Sequence, residues 1–223
     1  MSGRSSIGYF FPFLVMFLMM SLRGFAETFR FQADTMIGTQ ASGKESVLLS
    51  GNARVWSDDL TIQADKIEIS GKDNRYLQCG GRVIGLDEKK GIRFTSSSLF
   101  YDRELKKANL EGDSTLEDKE NKIVAKGRFI EYNDIAGTVL LQISVRIFKD
   151  DLVCRSEYAL YRRNEKLLEL SGSPVIYKEG DEFSSERIRV DLTTDDVVME
   201  GQVQGTLKSP TKEKSSDGST GQP

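Results

Sequence analysis

Leu49-Ser50-Gly51-Asn52-Ala53-Arg54-Val55, followed by Ser57-Asp58-Asp59 and then Leu60-Thr61-Ile62-Gln63-Ala64-Asp65-Lys66-Ile67-Glu68-Ile69, is the stretch on which the fold turns. In its first segment Leu49, Gly51, Ala53 and Val55 stand at every second position on one face, as Val139, Leu141, Ile143, Val145 and Ile147 do later. That is the period of a strand with one apolar face, and helical spacing does not fit it. In the second segment Leu60, Ile62 and Ala64 keep one phase and Ile67 and Ile69 the other, because the polar residues Asp65 and Lys66 intervene. A slip of one residue turns every side chain to the opposite face, so a strand that keeps its apolar side inward through such a flip must bulge or turn a corner. The short polar connection at 57–59 joins antiparallel neighbours, since a parallel crossover needs about a dozen residues. The stretch predicts a hairpin whose second strand is bent at Asp65-Lys66.

The hairpin recurs. Phe31-Gln32-Ala33-Asp34, Ile62-Gln63-Ala64-Asp65, Phe94-Thr95-Ser96-Ser97, Ile123-Val124-Ala125-Lys126, Cys154-Arg155-Ser156-Glu157 and Phe183-Ser184-Ser185-Glu186 start 29 to 32 residues apart. A second marker alternates with the first: Leu49-Ser50-Gly51, Cys79-Gly80-Gly81, Leu110-Glu111-Gly112, Leu170-Ser171-Gly172 and Met199-Glu200-Gly201, with Ile143-Ser144 where a glycine is due. The parity flip returns at Ser97-Ser98 and Glu186-Arg187. A fixed period of this length signals stacked like units. About six of them, built from bent antiparallel strands, predict an all-β chain and a repetitive jelly-roll-like trough with its apolar side inward. The glycines read either as bends or as room for a ligand chain. The acidic positions recur once per unit and give way to Ser97 and Lys126, which suits a solvated or ion-paired corner and not the fixed carboxylate pair of a glycosidase.

Composition narrows function. Thirty-one Lys+Arg against 34 Asp+Glu leave a net charge of −3, so nucleic acid is not an expected partner. Without histidine and with two cysteines, Cys79 and Cys154, the chain lacks the parts of a Ser/His/Asp or Cys/His nucleophile and of a structural zinc site. It also has no phosphate-binding Gly-rich loop. No catalytic residue, metal or cofactor is therefore expected. The cysteines fall in units too far apart to bridge and are expected to be buried free thiols. Trp56, beside a turn, is expected at the rim.

Residues 7–20 form an apolar run with Arg4 before it and Gly24-Phe25-Ala26 after it, the pattern of a secretory signal peptide. The expected organisation is a signal peptide at 1–26, a β-domain at 27–207 and a disordered Ser/Thr/Lys/Gly/Pro tail at 208–223. The apolar run is either cleaved after Ala26 or retained as an inner-membrane anchor. In both cases the remainder works outside the cytoplasm.

The hairpin from Val47 to Ile69 resembles the signature repeat of the OstA/LptA family, the periplasmic bridge of lipopolysaccharide transport, and weaker copies spread the likeness over 27–207. The departures are Ser144, Ser97, Lys126 and the number of units. The resemblance implies a V-shaped, open-edged β-jelly roll, not an enzyme, that carries the acyl chains of lipopolysaccharide or another glycolipid in its interior. On this sequence the lining would be Leu49, Val55, Leu60, Ile62, Ile67, Ile69, Val83, Phe94, Leu99, Leu110, Leu116, Phe129, Val145, Ile147 and Ile188. Edge strands at 29–36 and 197–207 would offer Phe29, Phe31, Met36, Val197, Met199 and Val203 for head-to-tail association with itself or with homologous β-domains at the two membranes. A membrane-anchored, LptC-like partner of the same pathway and a repetitive β-scaffold or polysaccharide-binding envelope protein are the alternatives.

Overall fold

The computed structural model describes residues 29–39 and 45–208. The expected signal peptide, and the tail beyond Lys208, lie outside the described residues. All strands belong to one antiparallel sheet: β1 (Arg30–Gln32), β2 (Thr35–Thr39), β3 (Ser46–Trp56), β4 (Leu60–Ser70), β5 (Tyr76–Asp87), β6 (Ile92–Asp102), β7 (Lys107–Asp118), β8 (Ile123–Asn133), β9 (Thr138–Lys149), β10 (Leu152–Arg162), β11 (Leu167–Ser171), β12 (Val175–Lys178), β13 (Asp181–Ser184), β14 (Arg187–Asp191), β15 (Val197–Glu200) and β16 (Gln204–Thr206). The sole helical element among the described residues is a 3-10 turn at Lys72–Asn74.

These sixteen strands are twelve passes of the chain. β1 and β2 pair with the two halves of β3, as β11 and β12 do with the two halves of β10. Each couple is thus one pass broken midway, and the couples β13/β14 and β15/β16 complete the pattern. From β3 to β10 the strands run unbroken, but the register slips between every pair, at Ser50/Ala53, Gln63/Lys66, Gly80/Val83, Thr95/Ser98, Glu111/Ser114, Lys126/Phe129 and Ser156/Tyr158. The slips and breaks fall at the predicted parity flips, Asp65-Lys66, Ser97-Ser98 and Glu186-Arg187. They form one line across the sheet and fold it into two leaves. The first leaf ends in the turns at 57–59, 88–91, 119–122, 150–151 and 179–180, and the second in those at 71–75, 103–106, 134–137, 163–166 and 192–196. Between the leaves lies one apolar core, and the sheet stays unclosed, with β1/β2 at one edge and β15/β16 at the other.

The corner is a device built from both repeat markers. Gly51, Gly81, Gly112, Gly172 and Gly201 take φ values of 73°, 71°, 91°, 74° and 74°, the left-handed region that glycine enters without cost. They bulge away from the core instead of lining it. The first marker of the neighbouring unit occupies the space left by each missing side chain. A Cβ on Gly51, Gly81 or Gly201 would stand 2.5, 2.4 or 2.5 Å from a carboxylate oxygen of Asp34, Asp65 or Glu186, and one on Gly112 would stand 2.4 Å from Ser97 Oγ. The residue after the glycine often completes the clasp: Asn52 Nδ2 donates to Asp34 at 2.9 Å, and the Arg82 guanidinium to Asp65 at 2.7 Å. The hydrogen bond from Arg82 holds the Asp65 carboxyl below its usual range.

Three expectations need correction. The terminal strands are each split at the corner, so β15 ends the second leaf while β16 crosses to the first and pairs with β13. Secondly, the fourth corner does not use Lys126. Gly127 is buried on the inward phase, the slip falls at Arg128-Phe129, and Arg128 takes the acidic residue's place. Thirdly, Ile143 leaves the apolar face: with Ser144 it adopts φ values of 65° and 56° in lieu of glycine, and it is 49% exposed.

Candidate functional site

Alternation along each bent strand brings the predicted lining together between the leaves. Leu49, Val55, Ile62, Ile67, Ile69, Val83, Phe94, Leu99, Leu110, Leu116, Val145, Ile147 and Ile188 are buried there, and Leu60 is half-buried against them. Phe129 does not join them, because the late slip at Arg128-Phe129 puts Ile130 inward and Phe129 on the outer phase. Further inward residues outside the expected lining include Leu77, Ile92, Ile123, Val139, Leu141, Leu168 and Val190. The same period-two signal marks them. Phe94 lies over Gly85, where an added Cβ would fall 1.9 Å from the ring, so the glycine seats the aromatic.

The leaves are packed against each other. A cavity between them, bordered by Leu60, Ile62, Phe94, Leu99, Tyr101 and Tyr132, holds about 40 Å³. This is close to the roughly 30 Å³ that one water takes in the liquid. A larger hollow of about 390 Å³, walled by Leu140, Tyr158, Leu160, Arg187, Arg189 and Val198, lies at the outer side of the second leaf.

Opposite the corner, the rims of the two leaves meet in a polar seam. Asp118, at the end of β7, has a side chain with no exposed surface; it accepts hydrogen bonds from Tyr161 Oη at 2.9 Å and Arg163 Nε at 2.7 Å. Arg163 also reaches Glu120 and the Lys90 carbonyl oxygen, at 2.6 and 2.9 Å. Lys90 pairs with Asp134, Lys149 with Asp195 at 2.8 Å, and the Arg103 guanidinium covers the Phe29 ring at 4.0 Å. Burial pushes the Asp118 carboxyl up, but hydrogen bonds from Arg163, Asn121 and Tyr161 outweigh it and hold the group below its usual range. Burial, with Asp118 beside it, pushes the Tyr161 hydroxyl well above its ordinary value. The first leaf is thus joined to the second by side chains at the seam and by continuous backbone at the corner.

Cys79 and Cys154 are free and buried, and burial pushes both thiols up to about 12, which leaves them unreactive near neutrality. No group of three or more His, Cys, Asp or Glu side chains that could hold a metal occurs among the described residues. Trp56 sits half-buried at the end of β3 with the Arg54 guanidinium 5.2 Å from its ring. At the open edges, Phe31, Met36 and Ile37 are exposed at one end and Val197, Val203 and Leu207 at the other, while Phe29 and Met199 pack against the core.

The model of the family described as LptA/(LptD N-terminal domain) LPS transport protein matches residues 30–151. Among solved structures, the chain is similar to LptH from Pseudomonas aeruginosa, the LptA-homologous periplasmic component of the lipopolysaccharide transport device. The identity is 12%, with 82% of this chain and 96% of that one covered, and a TM-score of 0.27. No curated relative matches the chain.

Proposed function

The chain belongs to the LptA and LptD N-terminal family of LPS transport proteins, and from that premise we propose that it is a non-enzymatic periplasmic bridge, carrying lipopolysaccharide or a related glycolipid from the inner to the outer membrane with the acyl chains between its leaves. The observation that carries this reading is the apolar interior, which runs without a break from one open sheet edge to the other. Each methylene kept from water stabilises by about 0.8 kcal/mol, so a lipid with several chains needs such surroundings all along its route. Entry of a chain requires the leaves to part, and the seam is where they can. Its contacts are separate side-chain pairs, whereas the corner is covalent backbone with a hydrogen-bonded ladder. The sugar headgroup stays in water at the seam, and no bond is made or broken.

The edges support a second part of the proposal. Among the described residues β1/β2 and β15/β16 are the outermost strands of the sheet, beside exposed Phe31, Met36, Val197 and Val203. Strand addition there, by a second copy or by a homologous β-domain at either membrane, would prolong the apolar interior across the junction. A heterologous contact of this kind does not close and yields filaments as concentration rises.

Photo-crosslinking side chains placed at Ile62, Ile67 and Phe94 should capture lipid in cells, while those at the outward Lys66 and Glu68 should not. Equal labelling at all five positions would reject transport through the interior. Sedimentation over a wide concentration range tests the edge contact separately, and a strict monomer would reject it.

A further inference from the structure

The outer side of the first leaf carries a second surface, which the transport reading does not use. One cross-strand row runs along it in register through nine strands: Arg54, Gln63, Ile84, Thr95, Thr115, Lys126, Arg146, Arg155 and Val175. Over its first five members it holds one charge. Over the next three, on β8, β9 and β10, it is solely cationic, and all three side chains are exposed. Like charges directly opposite one another on adjacent strands destabilise a sheet. Here they stand in a chain whose net charge is −3, so the cluster does not follow from composition. Arg128 adds a fourth exposed cation one corner away, at the fourth corner, the one that lacks both glycine and acid.

The next row toward the turns is apolar at the same strands: Val124, Phe148, Val153 and Tyr177 lie side by side, half exposed. Lys126 Nζ stands 5.7 Å from the Phe148 ring centre, and the Arg155 guanidinium 5.1 Å from that of Tyr177. The nearest carboxylate along that row, Glu117, is taken by Arg93 at 3.3 Å, and Glu182 lies beyond Tyr177. With neighbouring strands about 4.8 Å apart, the three cations span about 10 Å of a sheet face backed by aromatic and aliphatic surface. We infer that this face docks on an anionic lipid bilayer, its cations at the phosphates and its apolar row against the interfacial layer. A soluble polyanion would use the cations and leave the apolar row idle. A bilayer surface uses both.

The test uses the chain from Glu27 onward, which carries every described strand and omits an apolar run that would bind lipid by itself. Its binding to vesicles of phosphatidylcholine mixed with phosphatidylglycerol is measured by co-sedimentation, against vesicles of phosphatidylcholine alone. A juxtamembrane Lys or Arg contributes about fivefold in affinity. The triple variant Lys126→Gln, Arg146→Gln, Arg155→Gln should therefore lose on the order of a hundredfold toward the anionic vesicles. Its thermal midpoint should stay level or rise as the repulsion is relieved, which separates lost docking from lost folding. A control triple on the second leaf, Lys72→Gln, Arg187→Gln, Arg189→Gln, removes the same charge elsewhere and should retain binding. Equal binding to both vesicle types, an equal loss in the control triple, or full displacement by inorganic phosphate would each overturn the inference. None of these readouts depends on acyl chains entering the interior, so failure here leaves the transport reading standing, and the converse holds.

Discussion

Each bent strand is held at two places, and they are built on different principles. At the corner a left-handed residue on one strand lies against a polar side chain of its neighbour, and the arrangement repeats along the sheet with partners 15 to 18 residues apart. At the seam the contacts vary from rung to rung: a cation over Phe29, lysines on Asp134 and Asp195, and a buried carboxylate under Tyr161 and Arg163. The three ion-paired contacts join residues 43 to 46 apart in sequence, from the turn after β5 to the turn after β14. A device made of backbone conformation must recur in every unit, because the strands share one fold line. A latch made of side chains needs only local complementarity and can differ at each rung.

That contrast can be broken first at the seam. Asp118→Ala leaves Arg163 partly buried without its main counter-charge, and should lower unfolding stability by about 3 kcal/mol. Urea titration measures it, and a loss under about 1 kcal/mol would mean that the seam adds little to leaf closure. The acid limb of the stability curve reports the same group. A carboxyl whose folded pKa is below the unfolded value, about 3.9, adds stability above that value and gives it up as pH falls through the folded one. Asp118 is lowered in this way, and so are Asp102 beside Arg75 and Asp195 beside Lys149. The protein should therefore weaken below about pH 4, and Asp118→Ala should show a shallower decline there.

At the corner, Gly81→Ala forces a left-handed alanine against the Asp65 carboxylate and should cost about 2 kcal/mol, with Gly80→Ala, where an added Cβ meets open space, as the comparison. The smallest effect has the opposite sign. Ile143 holds a φ of 65° that glycine would take without strain, so Ile143→Gly should stabilise by about 1 kcal/mol. A loss instead would show that the exposed isoleucine has a packing role at the fourth corner.

The two places also differ in how legible they were. Period-two alternation and the flip at Asp65-Lys66 sufficed to place the fold line, because backbone register leaves its trace in consecutive residues. The fourth unit misled for a physical reason. Ile123-Val124-Ala125-Lys126 matches Ile62-Gln63-Ala64-Asp65 in spelling, but Gly127 fits on the inward phase and delays the slip by two residues, which moved Phe129 outward and Arg128 to the corner. The seam left no such trace. Nothing around Asp118 in the sequence sets it apart from the other aspartates at strand ends, and its partners belong to a different unit.

The shortness of the end strands has a kinetic meaning. Each pass in this sheet hydrogen-bonds through its backbone only to the passes beside it, so order propagates strand by strand, as in a zipper. β3 to β10 hold one another over 11 or 12 residues, whereas β1, β2, β15 and β16 contribute three to five each. Amide hydrogens should exchange fastest at the two ends and slowest near β6 to β8, in a graded profile along the stack. The termini of the sheet would then be its least committed parts, free to trade a frayed strand for one supplied by a neighbouring molecule without disturbing the middle.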